Sequence, residues 1–301
     1  METGMNTTFD LWHTGDKVED QRLSLERLAA AGFTWMHWTH EYDGDYCYAP
    51  SEMRQLRDWL DGLGRKAGSV HASKGSDRHG ERGLIMGHYR KDFTSEMEPN
   101  RQAGVHLIRN RIELAMAMGA KEVVLHLYLP YEVFRKDPAY REVFYGQVFR
   151  SFDELMPWCR ERGMRICVEN LYEAPGELQI EGFNRLFARY PSDFMGLCLD
   201  TGHANLVWGH DFVEKLAKPF ADRIYSVHLH ENKGWGWGPG YGDAHMVPSD
   251  NGFPWKEFMR VLKSSVYEGP LMLEVGMAED ETAEAFLKRA MEAGNWLDSL
   301  S

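Results

Sequence analysis

The chain has 301 residues, with 34 Lys and Arg against 46 Asp and Glu, a formal charge of −12. That length admits two ordinary domains or one α/β barrel, which runs to about 250 residues as one unit. A content of 43% hydrophobic and 27% charged residues excludes a disordered chain, and the acidic balance argues against a nucleic-acid partner.

Cys47, Cys159, Cys167 and Cys198 lie far apart and form no Cys-x-x-Cys pair. Their spacing predicts free thiols in a reducing compartment, the cytoplasm. The first residues lack an apolar stretch of the kind that directs secretion, and no apolar run reaches 18 residues, so the expectation is a chain that does not span a membrane.

In chain order, apolar runs occur at 8–12, 33–38, 68–72, 122–127, 165–169, 195–200, 224–229 and 271–275. Several are continuous rather than alternating, as in Val123-Val124-Leu125, Ile166-Cys167-Val168 and Leu271-Met272-Leu273. Such runs suit parallel strands covered on both faces. Helical spacing separates them: Val105, Ile108, Ile112, Ala115 and Met118 form one set, and Ala283, Phe286, Leu287, Ala290 and Leu297 another. Gly32, Gly119 and Gly163 each stand shortly before a run, where helices stop. Pro157 predicts a kink or a late restart in its helix.

Strand and helix in eightfold alternation predict a (β/α)8 TIM barrel, one domain over residues 1–301. A doubly wound open sheet is the rival, but no Gly-x-Gly-x-x-Gly follows an early run. The long insertions, 74–100 and 231–252, follow the third and seventh runs, on the face where barrels carry their chemistry.

Residues able to bind a metal stand at or near the run ends: His71, His126, Glu169, Asp200, His228 and Glu274, with His203, His230, Asp243 and His245 close behind. In a closed barrel these ends meet on one axis, and converging carboxylates repel unless a cation or protons neutralise them. The mixture of Asp, Glu and His suits a divalent ion. His37, His40, His79, His88, His106 and His210 are scattered and read as structural residues. A glycine-rich loop carries Lys233, Trp235, Trp237 and Tyr241; its aromatic rings could stack on a sugar or pack on the barrel rim.

The motifs Val168-Glu169-Asn170, Leu199-Asp200-Thr201-Gly202-His203, Val227-His228-Leu229-His230, Asp243-Ala244-His245 and Leu273-Glu274-Val275 resemble the xylose-isomerase-like barrels. That superfamily includes sugar isomerases and epimerases and the endonuclease IV family. The resemblance covers about two thirds of the chain, from the third run onward. In the sugar branch it implies one divalent ion, Mn²⁺ first and Zn²⁺, Co²⁺ or Mg²⁺ after it, held by Glu169, Asp200, His228 and Glu274. Glu169 and Glu274 would be the acid/base pair, working through an enediolate, with His203 on a substrate hydroxyl and Lys233, Trp235 and Trp237 around the sugar.

In the nuclease branch a three-zinc cluster would use nine positions: His71, His126, Glu169, Asp200, His203, His228, Asp243, His245 and Glu274. Three departures weigh against it. The first run lacks a Gly-x-His opening, Leu127-Tyr128-Leu129-Pro130-Tyr131 stands where Pro-Gly is usual, and Lys233 is the one cation near the aromatic loop. Lyase or hydrolase chemistry on modified sugars, and a non-catalytic sugar-binding barrel, remain as alternatives. The resemblance also allows a homo-oligomer.

Overall fold

Eight parallel strands hydrogen-bond in the order β7-β6-β5-β4-β3-β2-β1-β8 in the computed structural model, which describes residues 1–9, 16–40, 46–72, 91–278 and 280–300. They are β1 (Thr3–Asn6), β2 (Trp35–Trp38), β3 (Lys66–His71), β4 (Glu122–His126), β5 (Arg165–Glu169), β6 (Met195–Asp200), β7 (Ile224–His228) and β8 (Leu271–Leu273). β1 pairs with both β2 and β8. The remaining seam closes where Leu229 N donates to Met272 O at 2.9 Å and Glu274 N donates to Leu229 O at 3.3 Å. This closure makes the sheet a TIM barrel and rules out the open doubly wound sheet.

The helices are α1 (Lys17–Ala30), α2 (Pro50–Leu63), α3 (Glu98–Met118), α4 (Tyr131–Lys136), α5 (Tyr140–Glu161), α6 (Gly176–Arg189), α7 (Thr201–Trp208), α8 (Trp255–Ser264) and α9 (Ala283–Ser299). α3 buries Val105, Ile108, Ile112, Ala115 and Met118, and α9 buries Phe286, Leu287, Ala290 and Leu297. Gly32, Gly119 and Gly163 all take positive φ after a helix end, as expected of helix stops. Among the described residues, no helix is long and apolar enough to cross a membrane.

Two expectations are corrected. The first strand is Thr3–Asn6, not 8–12. Thr3-Gly4-Met5-Asn6 has little apolar signal because its neighbours fill the space instead: the Met272 side chain occupies the room that Gly4 leaves. Thr8 and Phe9 follow the strand, Phe9 stacking on Phe286 at 5.8 Å, and residues 10–15 lie outside the described ones. Pro157 brings no late restart, since α5 runs through it. The lost hydrogen bond costs about 3 kcal/mol, and burial of Phe144, Val148, Phe152, Leu155 and Cys159 on the same helix offsets it. Of the two insertions, residues 74–90 are outside the described ones, 98–100 belong to α3, and 231–252 form the ordered loop described below.

Candidate active site

Strand register puts the polar side chains together. Parallel neighbours in register point their side chains the same way. His126 pairs with Glu169, Asp200 with His228, and His37 with Ser69. Each is the last or nearly the last inward position of its strand, so the set projects into the mouth of the barrel. Beneath it, Val124, Cys167 and Cys198 form a small apolar layer, and burial raises the Cys198 thiol to about 11. Cys159, Cys167 and Cys198 are buried and not joined in disulfides.

Glu169, Asp200, His228 and Glu274 bring one ligand atom each within 4.8 Å of one another. Nδ1 of His228 stands 3.3 Å from Glu169 Oε1, 3.7 Å from Asp200 Oδ2 and 3.0 Å from Glu274 Oε2. Asp200 divides its carboxylate: Oδ1 accepts from His203 N at 2.7 Å as the cap of α7, and Oδ2 stays with the cluster. One imidazole cannot neutralise three buried carboxylates, whose like charges are costly at this range. Three carboxylate oxygens and one nitrogen therefore fit a divalent ion.

Two more groups flank this one. His71, His126 and Glu169 converge, with His126 Nε2 at 3.1 Å from His71 Nε2. His71 Nδ1 faces the Ala72 carbonyl at 3.1 Å, and the Tyr128 hydroxyl lies 2.9 Å from His126 Nδ1, so both rings turn Nε2 inward. On the other side His203, His230, Asp243 and His245 converge. His203 Nδ1 donates to the Asn170 carbonyl at 3.0 Å, which directs Nε2 at Asp243, 3.4 Å away. His245 Nδ1 donates to the Glu274 carbonyl at 2.9 Å.

The electrostatics follow from this crowding. Burial works against a charge on Glu169 and Glu274, but His228 and the other imidazoles overcome it and hold both carboxyls well below the usual range. Burial likewise opposes protonation of His203, yet Asp200, Asp243 and Glu169 lift it well above its ordinary value. Burial also opposes protonation of the half-buried His245, but Asp243 and Glu274 raise it to about 9.

Every candidate ligand named from the sequence is in this cluster. His37, read there as structural, also belongs to it: its ring lies 4.6 Å from that of His228, and its Nε2 is 3.9 Å from Glu274 Oε1. Ser69 Oγ fixes its other nitrogen at 2.8 Å. Its signal was present in the strand position, and only the scattered count of histidines hid it. His230 supports Asp200 Oδ2 at 2.9 Å. Asn170 clamps Asp200 by two bonds, Nδ2 to Asp200 O and Asp200 N to its Oδ1, both 2.9 Å. A Cβ on Gly202 would lie 2.1 Å from the His230 ring, so only glycine lets His230 approach. His40 is buried beside Trp38, His106 and His210 are exposed, and His79 and His88 lie outside the described residues.

A cavity of about 400 Å³ opens over the cluster, lined by Asn6, Thr39, His71, His245, Glu274 and Gly276 among others. Beside the mouth, the glycine-rich loop is tied down. Glu231 accepts from the Ser249 backbone and hydroxyl, Asn251 and Trp255. Lys233, exposed, folds back along this loop, with Nζ donating to Pro239 O at 3.0 Å. Trp235 and Trp237 are 65% and 97% exposed.

The sequence profile of the xylose isomerase-like TIM barrel family matches residues 25–299. The chain is 33% identical over 286 residues to the uncharacterized protein y4fM of Sinorhizobium fredii (strain NBRC 101917 / NGR234), covering 92% of this chain and 89% of that one. Among solved structures, a D-tagatose 3-epimerase-like protein superposes with a TM-score of 0.67 at 21% identity, over 99% of this chain and 100% of that one. A D-psicose 3-epimerase, solved in the presence of D-fructose, does so at 0.68 and 15% identity, over 100% and 99%. At these identities the likeness is one of fold. The profile match spans nearly the whole barrel, including all four strand-end residues around His228: the chain belongs to the xylose isomerase-like TIM barrel family.

Proposed function

We propose that this protein is a divalent-ion-dependent sugar isomerase or epimerase. The observation that carries the reading is the convergence of Glu169, Asp200, His228 and Glu274 within 4.8 Å. These four residues would hold the ion, Mn²⁺ in the first instance, since an oxygen-rich set with one imidazole suits such ions. Such an ion would supply Lewis acidity at a substrate carbonyl, offsetting the negative charge that proton removal beside it creates. The names of the solved relatives, a D-tagatose 3-epimerase-like protein and a D-psicose 3-epimerase, support a ketose substrate.

The chain's own residues do the proton work. Glu169 and Glu274 approach His228 Nδ1 with different carboxylates, at 3.3 and 3.0 Å. One takes the proton from the carbon next to the carbonyl, and the other returns it on the opposite face of the substrate. Glu274 lines the open cavity, whereas Glu169 is buried and its Oε2 is held by His126 at 2.9 Å. His203 offers Nε2 to a substrate hydroxyl. Trp235 and Trp237 stand at the rim of the mouth, outside the reacting sugar, and Lys233 stiffens their loop.

The experiment is solvent exchange. With Mn²⁺ and a panel of free ketoses in D2O, the wild type incorporates deuterium at one carbon, and Glu169→Gln and Glu274→Gln do not. If both variants exchange at the wild-type rate, the reading is wrong.

A second reading has its own observation. The two flanking groups, His71, His126 and Glu169, and His203, His230, Asp243 and His245, would suit a multi-zinc phosphodiesterase. Cleavage of abasic-site DNA together with three zinc ions per chain would favour it over the sugar reading.

A further inference from the structure

We propose that Tyr172 and Trp235 form a second ring-binding subsite at the mouth, so that the substrate is a ketose carrying another ring on an oxygen away from its carbonyl. The proposal rests on the sugar-isomerase reading and names the substrate class for it.

Two aromatic rings lead outward from His203 in the ligand cluster. Tyr172 packs 5.1 Å from His203, and Trp235 packs edge-on to Tyr172 at 5.9 Å and 72°. Tyr172 thus stands between the cluster and Trp235. A sugar held by its oxygens at the cluster leaves Trp235 to whatever that sugar carries.

The exposure of Trp235 has a specific form. Its indole N–H donates to the Leu206 carbonyl at 2.9 Å, so its polar end is satisfied inside the protein. What remains in water, at 65% exposure, is apolar ring. The ring is held still as well. Gly234 N donates to Asn232 Oδ1 at 3.0 Å, and Asn232 Nδ2 donates to the Gly202 carbonyl at 2.9 Å, which fastens the loop to the helix that bears His203. Lys233 N to Gly240 O at 2.7 Å and Gly242 N to Gly234 O at 2.9 Å close the loop on itself. A flat apolar surface fixed in advance loses little freedom when a ring lands on it. The C–H face of a pyranose and an aryl ring both present the complementary surface.

The test is calorimetric binding to the Mn²⁺-loaded protein of three probes: a free ketohexose, its 6-O-glucosyl derivative and its 6-O-benzyl derivative. At least one ring-bearing probe binds fivefold or more tighter than the free ketohexose. That ratio falls to about one in Trp235→Ala and persists in Trp235→Phe, which keeps a ring and drops the N–H. A gain with the glucosyl probe alone identifies a second sugar, and with the benzyl probe alone an aryl group. No gain in the wild type, no binding of any probe, or a gain that survives Trp235→Ala overturns the proposal. Deuterium exchange is read on the same samples: a ring-dependent gain without exchange upholds the subsite and defeats the isomerase reading, and exchange without a gain does the reverse.

Discussion

His126 Nε2 lies 2.9 Å from Glu169 Oε2, and the two residues are direct partners in the β4–β5 register. The contact gives Glu169 two neighbourhoods: Oε1 faces His228, and Oε2 faces His126 and, at 3.8 Å, His71. Whether a further ion can join the cluster beside His71 is decided on the Oε2 side.

In a one-ion enzyme His71 is a neighbour of the reacting site and not a ligand. His71→Ala is expected to leave one ion per chain and to lower ketose turnover less than tenfold. Elemental analysis beside a steady-state assay checks this. Loss of an ion together with nearly all activity would instead favour the multi-zinc reading.

Ion removal should destabilise the fold. Stripping the cluster leaves three carboxylates around His228, and an ion at 100 times its dissociation constant adds about 2.7 kcal/mol. Chelation should lower the Tm, and Mn²⁺ should restore it. Asp200→Asn should blunt the restoration. A Tm indifferent to chelator and Mn²⁺ would count against an ion at this site.

Acid should weaken the protein through His40. Burial, opposed by Asp20, lowers its pKa from 6.5 to about 3. The unfolded chain then binds the proton more readily than the folded one. The neutral ring's contribution is complete above pH 6.5 and is lost progressively as pH falls from there toward 3. Between pH 6.5 and 5 the expected loss is about 2 kcal/mol. Urea unfolding at both values, in wild type and His40→Gln, should show the variant losing less over that interval.

Gly202→Ala should damage the site without touching a ligand. Its methyl would fall on the His230 ring, and relief of such overpacking costs about 1–3 kcal/mol. His230 would leave Asp200 Oδ2. A lower Tm with weaker Mn²⁺ affinity is expected, and unchanged ion affinity would show that His230 does not steady Asp200.

The strand-end residues were legible because the apolar runs that carry them are loud: Ile166-Cys167-Val168 points to Glu169, and Leu197-Cys198-Leu199 to Asp200. β1 was not legible, because Thr3-Gly4-Met5-Asn6 owes its place to Met272 and to its pairing with β2 and β8. His37 was missed for a related reason. It stands near the end of the second apolar run, but its facing of Ser69 and His228 shows only once the strands are paired. The bonds of Asn170 to Asp200, thirty residues away, were equally invisible.

Asp200 spends one oxygen on starting a helix and keeps the other for the mouth of the barrel. A glutamate there would reach too far for one of the two tasks, and an asparagine would offer the cluster a weaker, uncharged partner. The aspartate thus ties the local folding of 201–208 to the chemistry, so tinkering at this position changes both together and leaves little room for gradual drift.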